Sequence, residues 1–208
     1  WSQKLSEAWH QPVVVDDRPG AGFTSALEQV TKSPADGYTL LFSASAPVAI
    51  APAMFKATAE MIRELSAVSM AAYVPNILVV NIAVPAKTVK ELIALAKAQP
   101  GKIDYSSSGN GTPAHLAGEV FKSLSGADIH HVPYKGSTHA LTAVVSGEVG
   151  VMFSPVPIAL PFVKNGRLRV LGITTKERSP VMPDVAPIAE LGVPGYEIVQ
   201  WYAIFVRS

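Results

Sequence analysis

The residues Ser106-Ser107-Ser108-Gly109-Asn110-Gly111-Thr112-Pro113-Ala114-His115 decide the fold, because they join a predicted strand over 102–105 to an amphipathic helix. Thr112 is suited to cap that helix, and Pro113 suits its first turn, where the missing N–H of proline has no consequence. The glycines and serines leave backbone N–H groups and hydroxyls beside the positive end of the helix dipole. The stretch is therefore typical either of a site for a carboxylate or phosphate or of an ordinary strand-to-helix turn.

Strands and helices alternate on both sides of this stretch. The hydrophobic patterns predict strands over 12–15, 38–42, 65–72, 77–82, 129–133, 149–153, 169–174 and 197–206. They predict helices over 1–9, 23–32, 48–55, 137–145, 158–164 and 187–191, and another that opens at Thr88 with Glu91 in a capping box. Helices between buried, β-branched strands indicate parallel sheets and the α/β class.

In parallel α/β folds, ligands bind in crevices at the carboxyl ends of the strands. This rule places four segments at candidate crevice positions: Ser43–Ala46, Ser106–Thr112, Tyr134–Ser137 and Ser154–Pro155. They carry serine, threonine, glycine and one lysine, and almost no carboxylates. Such a composition favours an anionic or zwitterionic small molecule as the ligand.

Composition excludes several classes of function. The 208 residues carry a net charge of +1 and no basic run, so nothing indicates a nucleic-acid partner. The absence of cysteine excludes disulfides, thiolate metal sites and a cysteine nucleophile. No apolar run is long enough to cross a bilayer, which argues against a membrane-embedded protein.

The segment Gly20-Ala21-Gly22-Phe23-Thr24-Ser25 is a candidate dinucleotide fingerprint, because it is predicted to follow a strand and open a helix. Ser25 stands in the third glycine position, however, and the next strand is followed by Ser43 instead of an acidic residue for a ribose. A plain turn is therefore favoured, and no cofactor is expected.

The histidines and serines do not form a recognisable catalytic or metal pattern. His130 and His131 occupy adjacent strand positions and so face opposite sides of a sheet. His115 and His139 each lie in the first turn of a predicted helix, where an imidazole can hydrogen-bond or pack. No Gly-x-Ser-x-Gly elbow surrounds Ser108, and no three histidines or carboxylates converge, so neither metal binding nor catalysis is expected.

Several further segments complete a larger pattern. They are Val13–Gly22, Ala35–Leu41, Ser107–Ala117, His131–Gly136, Asn165–Arg169, Arg178, Pro183–Val185, Ala189–Gly192 and Trp201. Their order and spacing resemble the Bug-type solute receptors of tripartite tricarboxylate transporters, and the resemblance covers nearly the whole chain.

The resemblance implies a two-lobed periplasmic-binding-protein-like (type II) fold that closes on a small carboxylate in the manner of a Venus flytrap. The ligand would be a dicarboxylate, an amino acid or an aromatic acid, and the protein would not be an enzyme. The partners implied are the membrane subunits of the transporter. A periplasmic location follows from the same resemblance, with a signal peptide expected before Trp1.

The resemblance also implies the lobes and the ligand contacts. Residues 1–78 would form the first lobe, 79–198 the second, and 199–208 a strand returning to the first. The first lobe would contribute Ser45 and Ala46. The contacts expected at the second lobe are Ser107, Ser108, Gly111, Thr112 and His115, with Tyr134, Lys135 and Gly136 nearby. The crevice position after the strand at 149–153 adds Ser154 as an expected contact.

The pattern also departs from the family at both ends. The family's first strand and proline-glycine-glycine loop are expected to precede Trp1, and its closing helices are expected to follow Trp201, so the first lobe is expected to be incomplete. Two alternatives stay open. One is the effector-sensing domain of a transcription regulator, and the other is a serine hydrolase.

Overall fold

The computed structural model describes residues 1–18 and 24–208, with Thr24 described by its backbone alone. The glycines of the candidate dinucleotide fingerprint, Gly20 and Gly22, lie outside the described residues. The chain divides into two compact units. The first comprises Trp1–Ser43, Pro47–Ser69 and Ile204–Ser208, and the second comprises Ala44–Ala46 and Met70–Ala203.

Helices and strands alternate along most of the described chain. The helices are α1 Ser2–Trp9, α2 Thr24–Thr31, α3 Ala51–Met54, α4 Lys56–Ile62, α5 Val89–Ala98, α6 Pro113–Ser125, α7 Ser137–Ser146 and α8 Val156–Lys164, with a π-helical turn at Ala46–Ile50. The strands are β1 Leu40–Ala44, β2 Leu65–Val74, β3 Asn76–Asn81, β4 Ile103–Ser107, β5 Ile129–Pro133, β6 Val151–Pro155, β7 Leu168–Ile173 and β8 Gln200–Arg207. Most predicted elements are therefore present, with boundaries shifted by a few residues.

The first unit has a small core of its own. Leu27 and Val30 of α2 are buried together with Leu41 of β1, and the partly buried Phe205 of β8 packs against them. A three-stranded sheet has the order β1-β8-β2. Strands β2 and β8 each continue from one unit into the other.

The second unit is built on a five-stranded sheet of order β5-β4-β6-β3-β7. All of β3 is buried, and its alternate residues serve two cores because successive side chains of a strand point to opposite faces. Leu78 belongs to the core that includes Leu92 of α5 and Phe121 of α6. Ile77 belongs to the core that includes Leu141 of α7. Helices therefore cover both faces of this sheet, as expected for the α/β class.

The prediction of parallel sheets is wrong for β3. Strand β4 is parallel to β5 and β6, but β3 is antiparallel to both of its neighbours, β6 and β7. Only Pro75 separates β2 from β3, so no helix returns the chain to the opposite edge before β3 begins. Strand β3 therefore begins beside the carboxyl end of β6, where Asn76 pairs with Pro155, and runs in the opposite direction.

Two further elements predicted from the sequence are not formed. The segment 12–15 is irregular, with Val14 85% and Val15 70% exposed, because β-branched residues form a strand only beside a partner and no described strand pairs with them. The helix predicted over 187–191 is a series of turns, because Pro187 bridges to β7 beside Ile173 and the N–H of Ile188 donates to the carbonyl of Ile173.

The two units do not coincide with the predicted lobes, because Ala44–Ala46 and residues 70–78, all predicted for the first lobe, belong to the second unit. The predicted division at residue 78 falls inside β3, and the whole of β3 belongs to the second unit. The functional assignment of the lobes stays a prediction. In residues 1–18 and 24–208, no helix combines the length and the apolar character that crossing a membrane requires.

Candidate functional site

One edge of the five-stranded sheet collects the segments that the sequence analysis selected in the second unit. Strands β5, β4 and β6 are parallel, so their carboxyl ends meet at this edge. Each strand then leads into a helix: β4 into α6, β5 into α7, and β6 directly into α8. The positive ends of these helices therefore lie at a single edge of the second unit.

The loop between β4 and α6 is the most elaborately bonded of these connections. Thr112 caps α6 as predicted, because its hydroxyl oxygen accepts the N–H of His115 at 3.4 Å. The same hydroxyl donates to the carbonyl of Gly109 at 2.7 Å. Gly109 and Gly111 have φ values of 130° and 74°, which glycine adopts far more readily than other residues. Internal hydrogen bonds and two glycines with positive φ therefore restrict the conformation of the loop.

The serines at the strand ends are buried, and their hydroxyls bond inside the unit. Ser106 donates to the carbonyl of Ala140 at 3.0 Å, and Ser154 donates to the carbonyl of Pro155 at 3.3 Å. The hydroxyl oxygen of Ser107 accepts the N–H of Gly109 at 3.1 Å. A ligand contact through Ser107 or Ser154 stays a prediction, and it would have to compete with these bonds or use the backbone.

Two histidines lie directly beneath the loop. The rings of His115 and His131 stack with centroids 4.2 Å apart, and Nδ1 of His115 accepts the N–H of Gly111 at 3.1 Å. Nε2 of His131 lies 2.6 Å from the hydroxyl oxygen of Ser107. Its neighbour His130 is exposed and bonds to Asp104 at 2.9 Å, which confirms that the adjacent histidines face opposite sides of the sheet.

Burial controls the charge of this histidine pair. Burial lowers the pKa of His115 below its ordinary value. Burial, together with the neighbouring His115, lowers the pKa of His131 to about 4. Both rings are therefore uncharged at neutral pH, as Nδ1 of His115 must be in order to accept a hydrogen bond.

A cluster of polar side chains, Tyr105, Glu119 and Lys122, lies beside the two histidines. The hydroxyl of Tyr105 donates to Glu119 at 2.8 Å, and Lys122 bonds to the same carboxylate at 3.0 Å. Burial alone would raise the pKa of Glu119, but the bonds from Lys122 and Tyr105 outweigh it and lower the pKa. Burial and the adjacent Glu119 raise the pKa of Tyr105. The carboxylate is therefore engaged within the unit.

The edge also carries backbone N–H groups without a protein acceptor. In the loop before α6 these are the N–H groups of Ser108, Asn110 and Ala114, which bond to no other described residue. The first turn of α7 has no side-chain cap, and its N-cap residue Gly136 has a φ of 105°. The exposed Lys135 adds a positive charge beside this second helix start. These groups are suited to bind an anion.

Tyr134 connects the two loops. Its N–H donates to the carbonyl of Ser107 at 2.9 Å, while its hydroxyl donates to Glu148 at 2.9 Å. The backbone of Tyr134 is also near Gly109, since a β-carbon placed there would lie 3.7 Å from the Tyr134 carbonyl oxygen. The residues predicted as contacts at 107–112 and 134–136 therefore lie next to one another.

Asn76 is a polar residue at this edge that was not predicted from the sequence as a ligand contact. It opens β3 opposite Pro155, is 1% exposed, and its side-chain nitrogen and oxygen have no partner in the described part of the chain. His131 was likewise not selected as a site residue. A polar residue directly after Pro75 and before five apolar or buried positions was the available signal for Asn76.

Ser45 and Ala46 are placed differently from the expectation. Both are buried, and contacts group Ala44–Ala46 with the second unit and not with the first. Their role in ligand binding stays a prediction. No cluster of three or more histidine or carboxylate side chains suited to a metal occurs within residues 1–18 and 24–208.

A family model described as "Tripartite tricarboxylate transporter family receptor" matches residues 2–207. The chain belongs to this receptor family. The match confirms the resemblance found in the sequence, and it covers both compact units.

Curated relatives of this receptor family are similar along nearly the whole chain. Protein BugT of Bordetella pertussis is 37% identical over 205 residues, which are 98% of this chain and 63% of BugT. A UPF0065 protein of Pseudomonas sp. strain P51 is 34% identical over 205 residues, which are 98% of this chain and 61% of that protein. The chain thus spans about three fifths of the length of these relatives.

Solved structures of similar receptors share the fold. R. palustris Rpa4515 with adipate is 32% identical with a TM-score of 0.86, and the match covers 99% of this chain and 69% of that one. MatC from Rhodopseudomonas palustris with bound malate is 26% identical with a TM-score of 0.83, over 99% of this chain and 70% of that one. The periplasmic binding protein BugD, at 24% identity and a TM-score of 0.83, supports the fold alone. The predicted α/β, periplasmic-binding-protein-like fold is confirmed.

Proposed function

We propose that this chain acts as a periplasmic receptor that binds a small carboxylate for a tripartite tricarboxylate transporter. The observation that carries the proposal is the row of unpartnered N–H donors at the carboxyl edge of β4 and β5. Family membership supports a receptor, and the similar structures with adipate and with malate support a carboxylate ligand.

The ligand carboxylate would bind mainly to backbone groups. The N–H groups of Ser108, Asn110 and Ala114 would donate to one oxygen or both, with the dipoles of α6 and α7 stabilising the negative charge. Lys135 would add an ionic contact suited to a second carboxylate. The remaining proposed contacts are Ser45, Ala46, Ser107, Gly111, Thr112, His115, Tyr134, Gly136 and Ser154.

We infer that the chain is not an enzyme. The one serine-histidine pair described at this edge, Ser107 and His131, has a buried hydroxyl that already bonds to the Gly109 backbone. A nucleophilic serine must reach a substrate carbonyl, and its base must be held by a third group. Membrane subunits of the transporter are the proposed partners, and a signal peptide encoded before Trp1 would distinguish this receptor from a transcription regulator.

Ligand-dependent stabilisation tests the proposal. We expect adipate, malate, glutamate or benzoate to raise the Tm of the chain, extended by its encoded flanking sequence, while the uncharged diamide of adipate does not. A ligand at a hundredfold excess over its Kd adds about 2.7 kcal/mol to the free energy of unfolding. If no carboxylate in a broad panel raises the Tm, the proposal is wrong.

A charge placed in the loop provides the matched variant. Asn110→Asp puts a carboxylate among the proposed donors, and we expect it to weaken binding at least tenfold, equivalent to about 1.4 kcal/mol. Asn165→Asp changes another exposed asparagine, at the end of α8, and should leave the Kd unchanged. Equal effects of the two variants would contradict binding at this edge.

A further inference from the structure

We propose that His115 and His131 are positioning residues for the anion-binding loop, and that their uncharged, stacked rings hold its two ends so that acidification releases the loop and lowers carboxylate affinity. The inference rests on the proposed function and names a regulation of the same site. Its structural half concerns the loop alone and can be tested without a ligand.

The two ends of the loop are held by different rings. At the first end, Nε2 of His131 lies 2.6 Å from the hydroxyl oxygen of Ser107, which in turn accepts the N–H of Gly109. At the second end, Nδ1 of His115 accepts the N–H of Gly111 at 3.1 Å. Because the unpartnered N–H groups of Ser108 and Asn110 lie between these attachments, the rings determine where those donors point.

The stack makes the two attachments interdependent. The rings lie 4.2 Å apart with an interplanar angle of 25°, and Tyr105 covers the same cluster with a centroid 4.9 Å from that of His131. A ring that shifts at one end therefore disturbs its neighbour at the other. Strand pairing fixes the base of the stack, since Tyr105 and His131 are register partners of β4 and β5.

Only the uncharged form of His115 can hold Gly111. A neutral imidazole has one nitrogen without a proton, and here that nitrogen is Nδ1. Protonation would place N–H groups on both ring nitrogens, so that a donor would face the N–H of Gly111 and the hydrogen bond would be lost. A second proton on His131 would add repulsion between two stacked cations.

The surrounding charges are distributed over three elements. Helix α6 presents Glu119, which favours a charged histidine, and Lys122, which opposes it. Strand β4 presents Tyr105, whose hydroxyl bonds to Glu119. Strand β5 presents His130, which is paired with Asp104 on the opposite face. Burial is the largest effect on both rings and lowers the pKa of each, to about 4 for His131.

The effect of acidification on carboxylate affinity, which is the binding half of the proposal, is tested with variants that keep a hydrogen-bond acceptor in place of the imidazole nitrogen but cannot be protonated. His115→Asn places an amide oxygen near the position of Nδ1, and His131→Gln places an amide near Nε2. With adipate and malate as probes, we expect wild-type affinity to fall about fivefold more than that of His115→Asn between about pH 7.5 and pH 4.5. His115→Ala should bind weakly at both pH values, and the exposed control His130→Gln should follow the wild type.

Protonation of the ligand itself contributes equally to the pH dependence of every variant, so it cancels when the variants are compared. If His115→Asn keeps the full pH dependence of the wild type, or if His130→Gln abolishes it, the proposal is overturned. Rescue by His115→Asn where His115→Ala fails would separate positioning from a purely structural loss.

An NMR titration tests the structural half without a ligand. We expect Nδ1 of His115 to be unprotonated at neutral pH, and the amide proton of Gly111 to shift with the same midpoint as the His115 ring. A Gly111 amide that ignores this titration would refute the attachment. Failure of every carboxylate to bind the wild type would refute the proposed function and the binding half, yet the NMR result would still decide the attachment.

Discussion

The backbone of Gly118 in α6 lies against the ring of Tyr105 in β4, so close that a β-carbon on Gly118 would overlap ring atoms Cε2 and Cζ. Both residues are buried, and the Tyr105 ring also stacks on the ring of His131. The contact sets the distance between the helix and the sheet beneath the candidate site. Its consequences for stability can be measured.

Gly118→Ala should destabilise the chain by about 1–3 kcal/mol, because overpacking forces the Tyr105 ring or the helix to move. In an unhindered helix the same change would stabilise by about 0.5–1 kcal/mol. Urea unfolding measures the difference. The Gly118→Ala/Tyr105→Ala double variant should lose less than the sum of the single variants, and strict additivity would contradict the overlap.

Thr112→Ala should lower stability by about 1 kcal/mol through loss of the α6 cap. It also removes the bond to the Gly109 carbonyl, so we expect carboxylate affinity to fall about three- to tenfold. Thr88→Ala removes the equivalent cap of α5 and is the matched control. Thr88→Ala should lose similar stability, while its Kd for the carboxylate, measured by calorimetry, stays at the wild-type value. If the two variants have the same Kd, the loop before α6 does not bind the carboxylate.

Asn81→Ala should destabilise the chain by about 2–3 kcal/mol, because the residue is only 7% exposed and its side chain joins two segments. Its amide donates to the carbonyl of Val144 at 2.7 Å and accepts the N–H of Ala83 at 2.8 Å. Thermal unfolding provides the measurement. Asn165→Ala, at an exposed position, should change stability by less than about 0.5 kcal/mol, and a loss as large as that of Asn81→Ala would argue against these bonds.

Stability should fall as the pH is lowered from about 6.5 towards 4. The folded state lowers the pKa of His115 and His131, so in this window the unfolded chain binds more protons than the folded one. The lowered pKa of Glu119 adds a loss at still lower pH. As the pH is lowered across this range, the urea concentration at half-unfolding should decline more steeply for wild type and His130→Gln than for His131→Gln. Parallel declines in all three would disprove the assignment to His131.

Local sequence predicted the helices that begin at capping residues. Thr88 with Glu91, and Thr112 with Pro113, act within one helical turn, and both caps are formed. Such bonds join residues that are neighbours in the chain, so their formation needs little help from the rest of the fold. The same locality explains why the loop at 106–112 was recognised as the start of α6.

Strand partners were not predictable in the same way. Val14 and Val15 have the composition of a strand but stand exposed, while β3 forms a strand whose direction differs from the expected one. The β-branched pattern determines extended backbone, but pairing depends on which edge of the sheet the chain enters. That edge depends on the connection before the strand, and here only Pro75 lies between β2 and β3.

The sequence by itself determined the α/β class, the capped loop before α6, the family and the opposite faces of His130 and His131, because each depends on short-range patterns or on the order of short motifs along the chain. Only the tertiary structure decided that His131 meets Ser107 and that His115 stacks on His131. Those contacts join residues far apart in sequence, and they exist because the parallel register of β4 and β5 places Tyr105 beside His131 beneath the start of α6.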